Sequence, residues 1–100
     1  MNKSEEKTPG KFSAEEAVWA GEQIGMDWGK YDLEQFRMGL EVEMEHGLRD
    51  PVTNVTGDDL VMTARIALAH LKVIPDYYTR LKKMEAEAEK EAAEKNKPEL

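Results

Sequence analysis

Apolar residues in this chain recur three and four positions apart in four separate runs, and helix start and stop signals stand at the ends of those runs. That period places side chains on one face of an α-helix, and no segment shows the convincing alternation of a half-buried strand. In the first run, Ala14, Ala17, Val18, Gly21 and Ile24 define one buried stripe. Ser13 and Glu16 before it form a capping box, in which each side chain satisfies the other's orphan backbone N–H. Phe12 stands where a hydrophobic staple onto Ala17 begins, and Gly25 is the natural stop. Met26 to Tyr31 is a connector, and its Trp28 is expected to fold back onto the core, since one indole buries a large apolar area. A second helix is expected from Asp32, which caps with Gln35, to about His46, with Gly47 as its stop and Leu33, Phe36, Leu40 and Met44 as its stripe.

A loop follows from Leu48 to Gly57, marked by Asp50-Pro51, Asn54 and Gly57. Thr56 or Asp58 can cap a third helix over Leu60 to Val73, which is apolar almost all round and so reads as the central one. Ile74 precedes Pro75 and is biased away from helical geometry, which ends that helix. Pro75 suits the first position of a fourth helix and Asp76 its first turn, with Tyr77, Tyr78, Leu81, Met84 and Ala88 as the stripe. Beyond Met84 the apolar residues shrink to alanine, and pairs such as Lys83–Glu87, Lys90–Glu94 and Glu91–Lys95 stand four apart, the pattern of a solvated helix that frays before Pro98. The expectation is an all-α fold: a small bundle of four helical segments, with residues 1–11 disordered, a helical domain over 12–84 and a charged helical tail over 85–100.

One hundred residues make one domain with one modest core. The formal net charge of −7 disfavours nucleic acid and anionic membranes, which both recruit lysine and arginine. Without cysteine there are no disulfides, thiolates or cysteine zinc sites. The polar start is no signal peptide, and no apolar run approaches the ~20 residues of a membrane helix. A cytoplasmic protein is expected, so the sequon Asn54-Val55-Thr56 reads as loop chemistry.

Nucleophilic catalysis finds little support: the serines are Ser4 and the cap Ser13. No glycine-rich phosphate loop follows a strand. The spacing of Asn54, Thr56 and Asp58 mimics a calcium loop, but Asp59 replaces its glycine and Arg65 its terminal carboxylate. One constellation has metal-ligand character. Glu43 and His46 share a helix face at the Glu-x-x-His spacing of di-metal bundles, and His70 lies on the third helix. If those helices are antiparallel neighbours, Glu43, His46 and His70 converge on a divalent metal. A full di-metal set needs a second such helix, hence a dimer, and the third helix supplies no central carboxylate. The competing reading makes His46 a helix-end cation and His70 a core histidine bonded to a carboxylate or to the Tyr77 and Tyr78 hydroxyls.

Tyr77, Tyr78 and Arg80 are the candidate partner-binding residues, since tyrosine and arginine are enriched at interfaces. Adjacent helical residues point about 100° apart, so at most one of the two tyrosines lies fully in the core. Met38, Met44, Met62 and Met84 read as gap-fillers of a small core. The leading expectation is therefore a non-enzymatic module that binds a protein partner or a second copy of itself, with no cofactor.

The segments Leu33 to Leu40, Glu45-His46-Gly47, Thr53-Asn54-Val55-Thr56, Ile66 to Leu71 and Pro75 to Leu81 resemble a family of small domains of unknown function from bacteria and phages, with an EHG…TNVT…IALAHL…PDYYTRL signature. The resemblance spans roughly Phe12 to Met84. It implies a compact helical domain in a cytoplasmic or phage context and supplies no activity. The matching motif residues are His46, His70, Asp76 and Tyr77. The chain departs from the family at Val73 and Ile74, where members carry Glu and Phe, so no functional carboxylate is implied at that turn.

Overall fold

The computed structural model describes residues 10–54, 56, 57 and 59–95, without the side chains of residues 46–48. Among the described residues the fold is all-α, with four helices in contact and no strand: α1 (Ala14–Gln23), α2 (Leu33–Arg49), α3 (Leu60–Val73) and α4 (Tyr77–Lys95). Most of the start expected to be disordered, and Pro98 beyond the tail, lie outside the described residues.

α1 begins and ends as its sequence dictates. The Ser13 hydroxyl accepts from the Glu16 N–H at 3.1 Å, and the Glu16 carboxylate accepts from the Ser13 N–H at 2.8 Å. At the other end Gly25 sits at φ 69, Met26 N–H donates to Gly21 O and Gly25 N–H to Glu22 O. That pair of bonds is a Schellman closure, and its left-handed position costs a glycine nothing. The turn sends Trp28 back over α1. A Cβ on Gly21 would lie 2.5 Å from the indole Cζ2, and the same indole meets the Phe36 ring edge-on at 5.7 Å.

Three helix limits differ from expectation. α2 runs through Gly47 to Arg49. A mid-helix glycine weakens a helix by only about 1 kcal/mol, and a Glu45–Arg49 ion pair at 2.8 Å spans that turn. The end is instead set by Pro51, which forces Asp50 into extended geometry. The cap of α3 is Asp59, whose carboxylate accepts from Met62 N–H at 3.0 Å; Thr56 is not the cap, and Asp58 lies outside the described residues. α4 starts at Tyr77, because Tyr77 N–H donates to Ile74 O and closes Pro75-Asp76 into a separate turn.

α2 and α3 pack on each other, and each also packs on α1 and α4. The core contains Ala17 and Ala20 of α1, Phe36 and Leu40 of α2, Ala64, Ala67 and Leu71 of α3, and Tyr78 of α4. The alanines let helix backbones approach, while burial of each large side chain contributes about 1.5–3 kcal/mol. α3 shares the central place with α2 and is not covered all round: Met62, Arg65, Ala69, Lys72 and Val73 are exposed. The chain entering α1 is tied to α2 by Arg37 and Glu41. Phe12 N–H donates to Glu41 Oε2 at 2.9 Å, Arg37 Nη1 donates to Phe12 O at 3.2 Å, and the two side chains pair at 2.8 Å. Arg37 also holds Glu34, and this bond keeps the Glu34 carboxyl below its usual range. α4 enters the core through Tyr78 and packs Tyr77 and Leu81 against it; from Lys82 to Lys95 every residue is exposed.

Candidate functional site

The junction of α2, α3 and α4 gathers the polar aromatic chemistry of the molecule. Gly39 and Glu43 are one turn apart on α2. The Tyr78 ring lies directly over Gly39, where a Cβ would stand 2.8 Å from its Cζ. One turn on, the Tyr78 hydroxyl donates to Glu43 Oε2 at 2.8 Å. Burial pushes the phenol pKa well above its ordinary value, and the negative charge of Glu43 adds to that, so the hydroxyl stays a protonated donor.

His70 reaches the same carboxylate from α3, with Nε2 3.4 Å from Glu43 Oε2. Its ring is stacked on Tyr77 at 4.4 Å with 5° between the planes, and it meets Tyr78 edge-on at 6.0 Å. The Glu43 side chain is only 14% exposed and that of His70 39%, so the carboxylate is shielded and the imidazole forms its mouth. Nearby, the Gln35 amide donates to the Thr79 hydroxyl and ties α4 to α2 a second time.

Of the residues expected to hold a metal, Glu43 and His70 are brought together; His46 follows Glu43 by one turn, and its side chain lies outside the described residues. Among the described residues no three His, Asp or Glu side chains cluster in a way that could hold a metal ion. Of the residues expected to meet a partner, Tyr78 is fully buried, Tyr77 is half-buried against His70, and Arg80 is exposed. Arg80 pairs with Asp76 at 2.8 Å, a bond that holds the Asp76 carboxyl below its usual range. Sequence reasoning missed Gly39 as the seat of Tyr78. The available signal was a glycine in mid-helix four residues before a glutamate.

A second feature lies further along α4. Val42 of α2 and Met84 and Ala88 of α4 floor a groove of about 440 Å³, with Glu45, Arg49, Glu85 and Glu89 on its rim. Met84 is 55% exposed there.

Residues 17–87 match a family model described as a protein of unknown function, DUF5661. The chain belongs to the DUF5661 family. The match begins inside α1 and ends inside α4, so it contains the whole Glu43–His70–Tyr78 junction and the first part of the projecting helix. No curated protein and no solved structure matches the chain significantly. Among the described residues of this DUF5661 protein, no helix is long and apolar enough to cross a membrane.

Proposed function

We propose that this DUF5661 protein is a cytoplasmic, non-enzymatic interaction module, of the kind a phage or mobile element carries as an accessory protein, with α4 as its docking arm. One observation carries this reading: α4 leaves the core after Leu81 and stays helical to Lys95 with every residue exposed. A helix of that length is marginal in water without packing. Its half-exposed Met84 and the α2–α4 groove beside it offer the apolar face that helix-in-groove recognition uses. Arg80 and Tyr77 stand one and two turns before Met84 on the same helix. A photocrosslinking residue at Met84, compared with one at the exposed loop residue Val52, tests the reading in the native host. Discrete adducts at position 84 and none at position 52 support it. Identical adduct patterns at both positions overturn it.

A divalent-metal role for Glu43, His46 and His70 is the second reading, favoured by the approach of His70 to Glu43 at 3.4 Å. Elemental analysis of the untagged protein, with light scattering for its mass, decides it. Stoichiometric iron, manganese or zinc supports a metal centre. Metal-free protein with a chelator-insensitive melting curve removes it and leaves Glu43 and His70 as the polar lock of the bundle.

A further inference from the structure

We propose that the groove between α1 and α3 receives an acidic amphipathic helix of a protein partner, with carboxylates on Arg65 and Lys72. The proposal rests on the interaction-module reading only for the class of partner; the surface is a different one. The groove measures about 460 Å³. Ile24, Leu68 and Ala69 form its apolar floor, Gln23 lies on its α1 side, and Arg65 and Lys72 stand at its two ends along α3.

Charge identifies the occupant. The chain carries 21 acidic and 14 basic side chains, and its other arginines are spoken for. Arg37 pairs with Glu34 and Glu41 and Arg49 with Glu45 within α2, and Arg80 pairs with Asp76 in the turn before α4. Arg65 and Lys72 are exposed, and no carboxylate of the described residues lies within 4.0 Å of either. Two cations without a carboxylate partner among the described residues thus bracket an apolar floor in a chain with an excess of acidic side chains.

Spacing identifies its form. Positions 65 and 72 are seven residues apart on one helix face, about 10.5 Å along the axis. Glutamates seven apart on a partner helix have the same rise, so both pairs form at once while the partner's small apolar residues meet Leu68 and Ala69. Ala69 presents only a methyl group, which lets a backbone approach closely. Arg65 supplies the planar fork that takes a carboxylate through two bonds. A long polyanion is a worse fit. Beyond about 8 Å the two cations are screened, and such a chain then runs across a surface of net charge −7.

The test is an NMR titration of the full ¹⁵N-labelled chain with a helical 15-residue peptide carrying glutamates seven apart and Leu and Ala between them. Expected are shifts confined to Ile24, Leu68, Ala69, Lys72 and the Arg65 Nε–H. Affinity is expected to fall at least tenfold for the same peptide with glutamines. The double variant Arg65→Glu, Lys72→Glu should lose the glutamate peptide and bind the lysine version; since both positions are exposed, its melting curve should match the native one. Equal binding of the glutamine peptide overturns the proposal, as does absence of shifts at millimolar peptide. Stronger binding of single-stranded DNA than of the peptide at the same residues also overturns it. So do shifts of these residues on raising protein concentration alone, which would make the occupant a second copy. Shifts at Val42 and Ala88 instead would overturn the α1–α3 site while leaving the docking-arm reading intact. The Met84 crosslink reports on that arm independently.

Discussion

The Tyr78 hydroxyl donates to Glu43 Oε2 at 2.8 Å across 35 positions of chain, and its ring occupies the space that Gly39 leaves free on the same face of α2. One side chain from α4 thereby reads two successive turns of α2, the first by shape and the second by hydrogen bonding. Tyr78→Phe separates the two. The phenylalanine ring keeps the seat on Gly39, while a shielded carboxylate oxygen loses its donor. A loss of about 1–3 kcal/mol is expected, seen as a lower urea midpoint at unchanged slope. An unchanged midpoint would show that the hydroxyl contributes nothing to holding α4.

Burial of the same phenol makes stability depend on alkaline pH. The folded phenol has its pKa raised above the ordinary value of 10.0, by burial first and then by Glu43. Below pH 10 the phenol is protonated in both states and its contribution is fully present. Above pH 10 the unfolded phenol ionises while the folded one does not, so stability falls by up to about 1.4 kcal/mol per pH unit. The difference between the native protein and Tyr78→Phe, followed by urea denaturation from pH 8 to 11, should shrink steadily above pH 10. A constant difference would show that the phenol ionises alike in both states.

Gly39→Ala puts two effects in opposition. In a helix interior alanine is favoured over glycine by about 1 kcal/mol. Here its methyl would enter the Tyr78 ring, which is fully buried. Overpacking of that kind costs about 1–3 kcal/mol, so a net loss in melting temperature is expected where propensity alone predicts a gain. A more stable Gly39→Ala variant would mean that α4 shifts freely on α2.

What could be read from sequence was local. Ser13 acts on Glu16 three positions on and Gly25 on Glu22 three positions back, so the limits of α1 were legible. Pro51 against Gly47 and Asp59 against Thr56 were contests between neighbouring signals, decided by where the chain turns back onto the bundle. The approach of Glu43 and His70 followed from their helix faces. The stacking of His70 on Tyr77 and the burial of Tyr78 depend on the three-residue turn at Ile74-Pro75-Asp76, whose geometry no periodicity encodes. Ala20 was missed because α1 packs over a wider arc than its stripe of larger residues outlined.

Arg37→Met tests the tie between the start of α1 and α2. It removes the partner of Glu34 and Glu41 and the donor to Phe12 O, so α1 should loosen first, seen as faster amide exchange at Ala17 than at Leu71. The tie is also sensitive to acid. Glu34 has its folded pKa lowered from 4.5, chiefly by its bond to Arg37. Its contribution is present above pH 4.5 and is lost as pH falls through the folded value. The Glu34 side chain is 59% exposed and well screened, so the acid slope is shallow. It should be shallower still in Arg37→Met, and equal slopes from pH 6 to 3 would detach Glu34 from stability.

Removal of residues 85–100 separates stability from recognition. The described part of that segment, Glu85 to Lys95, is exposed throughout, and exposed positions contribute about 0.5 kcal/mol or less when changed. The shortened chain should therefore unfold within about 4 °C of the full one. The adducts formed from position 84 should nevertheless disappear, because half of the α2–α4 groove is gone with Ala88, Glu85 and Glu89. If unfolding moves far downward, α4 braces the bundle beyond Leu81 and its exposed stretch is a structural strut. If adducts persist at native stability, recognition lies on the bundle itself, and the exposed face of α3 with Arg65 and Lys72 becomes the surface to map.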